Sequence, residues 1–315
     1  MTLLSDSPAV FSRRAFLGGS AGLAATAFLA ACTGDGGDSA PSTSSASGGT
    51  SAPSRVVALS TGHLDHLLTL GIVPVGLAVA KSSGTDTRGI PDYINDRFGD
   101  TMDLGSIEVV GERQTPDLEK IAGLDPDLIL SNDRTDRAQL DKLGGIARVV
   151  TTNGGSERWK EDLGILADAV GRRDQADKQL ADYEARAKAW ADARSGSPSI
   201  SLVRGRASGY LTFGPLSLAG SVAADADLRR PASQQFTDKA SHDLSLENVD
   251  QLDADHLFAG FAGDSGAVTD TPTWTSLPVG AAGHGHVVDL DPWFLNASLV
   301  AAEVVLDDMK RLIGG

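Results

Sequence analysis

A thirteen-residue phrase occurs twice in this chain and constrains its fold more than any other feature. Residues 118–130 read LEKIAGLDPDLIL, and residues 246–258, at an offset of 246 − 118 = 128 positions, read LENVDQLDADHLF. Both copies begin with Leu-Glu, carry an aliphatic residue two positions later, and run through Leu-Asp-x-Asp into apolar residues. This pattern predicts a short helix, a turn and a buried strand. The chain is therefore expected to contain the same structural unit in each half.

Short apolar runs alternate with amphipathic stretches on both sides of one long helical segment. Strands are predicted at residues 55–59, 73–77, 127–131, 148–151, 200–203, 255–260 and 287–290, and later helices at 216–224, 245–252 and 299–313. This alternation implies parallel sheets covered by helices on both faces. Segment 174–195 has apolar residues at every third or fourth position, which predicts a helix about 33 Å long. Two α/β units, residues 54–153 and 198–315, are expected to flank a connecting helical segment at residues 154–197.

The first 53 residues are predicted to be a signal peptide and a tether. SRRAFL at residues 12–17 is similar to the twin-arginine export motif, and LAAC at residues 29–32 looks like the lipobox of bacterial lipoproteins. Residues 1–31 are therefore expected to be removed, leaving a lipidated Cys32 and a flexible tether over residues 32–53. A transmembrane anchor is the alternative, but the Gly- and Ala-rich run is shorter than the roughly 20 strongly apolar residues that a span needs. The protein is expected to work outside the cytoplasmic membrane, held there by lipid.

Composition excludes several classes of function. The formal charge of −15 argues against nucleic acid or an anionic membrane surface as a general partner. Cys32 is the only cysteine, so no intrachain disulfide can form. The one GxSxG match lies in the signal peptide, GDSG at residues 263–266 fits a turn, and no phosphate-loop or dinucleotide fingerprint occurs. The sequence therefore favours a protein that is not an enzyme.

The histidines suggest a rival reading, a transition-metal site. His63 and His66 would share one helix face, whereas His284 and His286 would point to opposite sides of a strand. No Asp-rich or His-rich loop accompanies them. We therefore expect surface or hydrogen-bonding histidines and no metal ligands.

Arginines and aromatic residues cluster at loop positions after predicted strands, which is where open α/β sheets bind ligands. The candidate ligand-binding residues are Arg113, Arg134, Arg204, Arg206, Tyr210, Phe213, Trp274 and Trp293. Solvated arginines and core aromatics are the alternative interpretation of each one taken alone. Their occurrence together favours a binding site more strongly than any one of these residues does alone.

The chain resembles the periplasmic-type binding proteins of ABC transporters for ferric siderophores, cobalamin and haem. The likeness covers essentially the whole mature chain, including RVVALSTGHLDHLLTLGIVPVGLA, both phrases, the long helix and TWTSLPVGAAGHGHVVDLD, and is closest to actinobacterial siderophore receptors. It implies two Rossmann-like lobes with parallel central sheets, joined by one long helix, with a ligand cleft between the lobes. It implies no catalysis and little movement of the lobes on binding.

The resemblance also implies roles for particular residues. Arg204 and Trp274 are expected to line the second-lobe wall of the cleft, with Arg113 opposite. The glutamates common to both phrases, Glu119 and Glu247, are expected to dock on arginines of a dimeric permease. The alternative for both glutamates is a carboxylate that complements its helix dipole.

The ligand expected from the resemblance is a ferric siderophore, with a hydroxamate type favoured by the acidic surface. Haem or cobalamin bound by the same fold, or a zinc or manganese receptor, are the alternatives. No cofactor is expected, since iron enters only as part of the siderophore, and the protein is expected to be a monomer. Gly205, Ala207, Ser208 and Gly209 are small where similar sequences carry a larger residue, which suits a wide cleft or a bulky ligand.

Overall fold

The computed structural model of the protein describes residues 52–80, 88–206, 209–263 and 272–314. The predicted signal peptide, Cys32 and most of the tether lie outside these residues, as does most of the predicted turn at 263–266. All of the described residues belong to one compact unit. Within these ranges, no helix is both long and apolar enough to cross a membrane.

The first half of the chain forms a six-stranded sheet. Its strands are β1 (Val56–Ala58), β2 (Gly76–Val79), β3 (Glu108–Glu112), β4 (Thr115–Pro116), β5 (Leu128–Asn132) and β6 (Arg148–Thr152), in the order β4-β3-β2-β1-β5-β6. All neighbours pair in parallel except β3 and β4. Helices α1 (Thr61–Thr69), α2 (Asp92–Phe98), α3 (Leu118–Gly123) and α4 (Arg137–Gly144) connect the strands. β1 is buried throughout and β5 is buried from Leu128 to Ser131, as strands in a covered parallel sheet should be.

Two helices lead from the first sheet to the second. They are α5 (Trp159–Ala169) and α6 (Arg173–Ala193), and α6 is the long helix that the sequence predicts. Ala176, Tyr183, Ala187 and Trp190 form its buried stripe. These residues recur at intervals of three, four or seven, which is the spacing of one helix face.

The second half forms a five-stranded mixed sheet. Its strands are β7 (Ile200–Arg206), β8 (Gly209–Phe213), β9 (Ser241–Leu244), β10 (His256–Gly260) and β11 (Gly285–Val287), in the order β11-β10-β7-β8-β9. β7, β10 and β11 are parallel, and β8 is antiparallel to both β7 and β9. The helices are α7 (Leu218–Asp225), α8 (Pro272–Thr275), α9 (Pro278–Ala281) and α10 (Leu299–Ile313), and a 3₁₀ helix spans Leu246–Leu252.

The predicted end of the strand at residue 203 is wrong. β7 continues to Arg206 and pairs with β8, so that Arg204 lies opposite Leu211. The glycines serve close packing in this region and do not end the strand. A Cβ at Gly209, where φ is 141°, would lie 2.7 Å from the Leu244 carbonyl oxygen of β9. The predicted strands at 73–77 and 287–290 are also displaced, to β2 and β11.

The repeated phrase forms equivalent structures in the two halves. β5 pairs in parallel with β1, and β10 pairs in parallel with β7, so each copy adds a strand beside the first strand of its sheet. The last Asp of each copy binds a residue that lies just before the first strand of its sheet. Asp127 accepts from the Ser54 backbone N–H at 2.7 Å, and Asp255 accepts from the Ser199 backbone N–H at 2.7 Å. Each copy of the phrase therefore forms one strand, β5 or β10, and also binds a residue that precedes the neighbouring strand, β1 or β7.

The helices of the two copies differ, which corrects the expectation of equivalent α-helices. The Asp117 side chain caps α3 by accepting from the backbone N–H groups of Glu119 and Lys120, both at 3.1 Å. Ser245 makes no such bond at the second copy, and Asn248 interrupts the helical dihedral angles. The second copy therefore has only a kinked 3₁₀ helix.

Buried hydrogen bonds join α1 in the first half to the start of α10 in the second. The Asp65 carboxylate accepts from Ser298 Oγ at 2.5 Å, the Val300 backbone N–H at 3.3 Å and the Tyr93 hydroxyl at 3.3 Å. Burial raises the pKa of Asp65 to about 6, although these bonds oppose the rise. The two halves are thus connected through packed polar contacts as well as through α6.

Candidate functional site

A cleft of about 550 Å³ lies at the carboxyl ends of β1, β3, β5 and β6. Its lining from the first half includes residues at or just after the ends of those four strands: residues 60–63, 113–114, 132, 134–136, 152 and 154–156. The opposite wall comes from the second half of the chain, through Phe213, Ser217, Leu218 and residues 293–297. The position matches the rule that open α/β sheets bind ligands beyond the carboxyl ends of their strands.

Two of the predicted arginines lie in this cleft. Arg113 directly follows β3, is exposed, and has no hydrogen bond or ion pair from its side chain within the described residues. Arg134 follows β5, and its guanidinium donates to the Gly154 carbonyl oxygen. Gly154 has φ of 68°, and a Cβ there would lie 2.8 Å from that of Asn132. The glycine therefore lets the loop after β6 approach Arg134, while Arg113 stays available to a ligand.

The wall contributed by the second half is aromatic. Trp293, only 1% exposed, stacks on Phe258 at 4.8 Å between ring centroids and donates from Nε1 to Asp308 Oδ2 at 3.1 Å. Phe213 packs on Phe294 with 4.8 Å between centroids. Because each ring is held by other side chains, this wall presents a fixed apolar surface to the cleft.

The other four predicted ligand residues are not among the described residues that line the cleft. Arg206 forms an ion pair with Asp243. Tyr210 and Trp274 are 7% and 6% exposed and pack in an apolar cluster with residues such as Val203. Tyr210 and the cleft residue Phe213 both lie in β8, three positions apart, so they point to opposite faces of the sheet, a difference that became visible only once β8 was known to be a strand.

Arg204 is half-buried in β7 and makes no side-chain hydrogen bond or ion pair within the described part of the chain. Burial, and then the neighbouring Arg206 charge, lower the pKa of Arg204 from its usual value. β7 continues through Arg204, which is not among the described residues that line this cleft. Its place on a cleft wall opposite Arg113 stays a prediction.

Two histidines, which were not among the predicted ligand-binding residues, line the cleft. His63 and His66 belong to α1, line the cleft, and are 4% and 1% exposed. His63 Nε2 shares a hydrogen bond with Thr152 Oγ1 at 3.0 Å. Burial and Arg113 lower the pKa of His63 to about 4, and burial and His63 lower the pKa of His66 to about 3. Both rings are therefore neutral near pH 7. Their spacing of three positions on the first helix after β1 is the sequence feature that could have indicated two histidines on one face beside the cleft.

The remaining histidine pair stacks on a third histidine away from the cleft. The His256 ring lies 4.6 Å from the His284 ring and 5.4 Å from the His286 ring, between centroids. The prediction that 284 and 286 point to opposite sides is wrong, because His284 precedes β11 and strand alternation does not apply to it. No set of three His, Cys, Asp or Glu side chains suited to hold a metal ion occurs within the described ranges.

Comparison with known sequences places the chain among binding proteins. A family model described as periplasmic binding protein matches residues 56–293. The probable siderophore-binding lipoprotein YfiY of Bacillus subtilis (strain 168) is 28% identical over 273 residues, 81% of each chain. The Fe(3+) dicitrate-binding periplasmic protein FecB of Escherichia coli (strain K12) is 23% identical, over 82% of this chain and 84% of its own.

Solved structures share the fold. Staphylococcus aureus SirA complexed with staphyloferrin B superposes with a TM-score of 0.70 at 24% identity, over 84% of this chain and 94% of its own. The iron-uptake system-binding protein FeuA of Bacillus subtilis gives a TM-score of 0.68 at 22% identity, over 83% and 94%. The architecture of two α/β halves around one cleft is thus the architecture of these proteins.

Proposed function

We propose that this chain, which belongs to the periplasmic binding protein family, captures a ferric siderophore outside the cytoplasm and delivers it to an ABC importer. The observation that carries the proposal is the composition of the cleft. One wall offers the unpaired guanidinium of Arg113, and the other offers the fixed rings of Phe213 and Trp293. A ferric siderophore presents oxygen atoms and an organic backbone, which suit these two walls. Relatives named for siderophores and ferric citrate support the same class of ligand.

The chemical type of the siderophore remains a prediction. The formal charge of −15 favours a neutral or cationic complex, such as a ferric hydroxamate. Arg113 and Arg134 in the cleft favour an anionic chelate such as ferric citrate, because guanidinium groups pair well with carboxylates. The cleft arginines lie close to a bound ligand, whereas most of the negative surface charges lie farther away and are screened by salt. The two arguments favour different ligands, so a binding test should include both hydroxamate and citrate chelates.

Tryptophan fluorescence tests the proposed function directly, because Trp293 lines the cleft. The purified protein would be titrated with ferric desferrioxamine, ferric enterobactin, ferric citrate, haem, cobalamin and Zn²⁺. We expect saturable quenching by one or more of the three ferric chelates. Quenching by Zn²⁺ alone, lost on substitution of His284 and His286, would replace the proposal with a zinc receptor.

The variant Arg113→Ala should weaken binding of the ferric chelate about ten- to a hundredfold. The reason is that a charge-assisted hydrogen bond to a ligand oxygen contributes roughly 1.5–3 kcal/mol. Folding should be unaffected, because the side chain is exposed and unpaired within the described residues. The quenching titration measures the affinity, and thermal melting checks the fold.

Arg137→Ala is the matched control for this experiment. Arg137 is also an exposed arginine of the first half, but it pairs with Asp141 on α4 and is outside the lining of the cleft. Its removal should leave affinity unchanged. Equal affinity in Arg113→Ala, Arg137→Ala and the unmodified protein would contradict the placement of the ligand. Arg204→Ala in the same series decides whether the ligand extends beyond the cleft to β7.

The repeated glutamates support docking on a two-subunit permease. Glu119 lies in the first turn of α3 and Glu247 in the first turn of the 3₁₀ helix, and both are exposed. Within the described residues, neither carboxylate has a hydrogen bond or ion pair. One free acidic group on each half suits a partner with one basic site per subunit. The receptor itself would act as a monomer.

The proposal also covers how the protein is held at the membrane and how iron enters the cleft. Cys32 would carry lipid and hold the protein on the outer face of the cell membrane, as the lipobox-like LAAC suggests. Relatives whose names include the word lipoprotein support this placement. Iron would enter the cleft only as part of the bound chelate, with no metal ion resident in the protein.

A further inference from the structure

The floor of the cleft carries buried ring nitrogens that lack partners. Both nitrogens of His66 and the Nδ1 of His63 have no hydrogen-bond partner among the described residues, although each atom is buried. His66 lines the cleft and is only 1% exposed. These unpaired nitrogens therefore belong to side chains at the boundary of the space in which a ligand would lie.

Folding alone does not account for an imidazole at this position. The apolar buried residues of α1 are Leu64, Leu67 and Leu68, each 0% exposed. Burying a polar group without a partner is unfavourable, and an apolar side chain of similar shape would avoid that cost. The buried Asp65 carboxylate accepts hydrogen bonds from Ser298, Val300 and Tyr93, and His63 Nε2 bonds with Thr152. In His66, by contrast, both ring nitrogens lack a hydrogen-bond partner among the described residues.

We propose that His66 is a ligand-binding residue whose imidazole hydrogen-bonds the organic shell of the bound chelate at the cleft floor. The inference rests on the proposed function and adds a recognition element to it. His63, which also lines the cleft, has its ring fixed by the hydrogen bond to Thr152.

The two nitrogens of His66 define the chemistry that they would recognise. A neutral imidazole has one N–H donor and one acceptor nitrogen. Carboxylate, hydroxamate and carbonyl oxygens satisfy only the donor. An amide N–H or a hydroxyl group satisfies the acceptor. The favoured ligand is therefore a ferric chelate whose backbone carries amide or hydroxyl groups near its metal-binding oxygens.

Nitrogen-15 NMR of histidine-labelled protein observes these contacts directly. The probes are the gallium(III) complexes of desferrioxamine, enterobactin and citrate, which are diamagnetic counterparts of the ferric chelates. We expect the His66 ring-nitrogen resonances to shift on binding. The resonances of His242, whose ring stacks on Phe236 and bonds to Asp238, should stay in place.

Substitutions separate recognition from folding. His66→Phe removes both nitrogens, and we expect about tenfold weaker binding with a melting temperature that is unchanged or higher. His66→Gln keeps one donor and one acceptor and should recover part of the affinity. His242→Phe, outside the cleft lining, should bind as the unmodified protein does.

The outcomes distinguish this inference from the proposed function. Binding by the unmodified protein, with full affinity in His66→Phe and unshifted His66 nitrogens, would show that only water occupies the floor. That result would overturn the role of His66 and leave the proposed function intact. Failure of the unmodified protein to bind any of the three complexes would overturn both.

Discussion

Replacing Glu119 and Glu247 together with alanine should abolish uptake of the ferric chelate by cells while binding by the purified protein is unchanged. Both carboxylates are exposed, unpaired within the described residues, and one lies on each half of the molecule. Neither lines the cleft, so its loss should not touch the ligand. Under the proposed docking, uptake requires association with the permease, and removing one charge from each half should weaken that association on both sides.

A role in helix stability predicts a different result. A carboxylate in the first turn of a helix contributes about 0.3–1 kcal/mol through the helix dipole. At α3 the Asp117 side chain already caps the backbone N–H groups, so Glu119 has little left to stabilise. The melting temperature of the double variant should therefore be nearly unchanged.

Uptake of a radiolabelled iron chelate, in cells that depend on this receptor, is the measurement. Glu108→Ala is a suitable control, because Glu108 is an exposed glutamate of the first half that lies outside the repeated phrase. Normal uptake by the Glu119→Ala/Glu247→Ala variant, together with a clearly lowered melting temperature, would leave only the helix role.

Lowering the pH from 7 to 5 should reduce the free energy of unfolding by about 2–3 kcal/mol. The pKa of His63 is lowered to about 4 and that of His66 to about 3, while an unfolded histidine titrates near 6.5. Between these values the unfolded chain binds more protons than the folded one, so acid favours unfolding. Each of the two histidines contributes about 2 kcal/mol of this loss at pH 5.

Asp65 acts in the opposite direction. Burial raises its pKa to about 6 in the folded protein, above the value near 3.9 of an unfolded aspartate. The folded chain therefore takes up this proton first as the pH falls, which offsets about 1 kcal/mol of the loss at pH 5. His256, also lowered to about 4, is less completely buried and adds a smaller loss.

Denaturant unfolding at pH 7, 6 and 5 measures this dependence. The double variant His63→Phe/His66→Phe should lose this decline and keep only the smaller, opposing contributions of Asp65 and His256. An equally steep decline in the double variant would show that the cleft histidines are not the source of the acid sensitivity.

Local pattern was sufficient for much of the architecture. The repeated phrase predicted β5 and β10, and the terminal helix at residues 299–313 is found at those positions as α10. Strand–helix alternation and helical periodicity are local properties of the chain, so residues close in sequence reveal them. Position after a strand likewise predicted that Arg113, Arg134, Phe213 and Trp293 belong to one site, and the structure brings these four to the cleft.

Only the tertiary structure separated cleft residues from core residues. Arg204 follows the same rule of position, yet β7 continues through it and pairs with β8, a strand that local pattern did not predict, and Arg204 is not among the described residues that line the cleft. The sequence by itself determined the two α/β halves, the long helix between them and the strand ends at which a ligand can bind. The burial of His63 and His66 was decided by contacts that are distant along the chain, such as the bond from His63 to Thr152, 89 positions away. The periodicity of apolar residues shows which face of α1 turns inward. Whether that face meets packed side chains or an open cleft depends on the residues that the rest of the fold places against it.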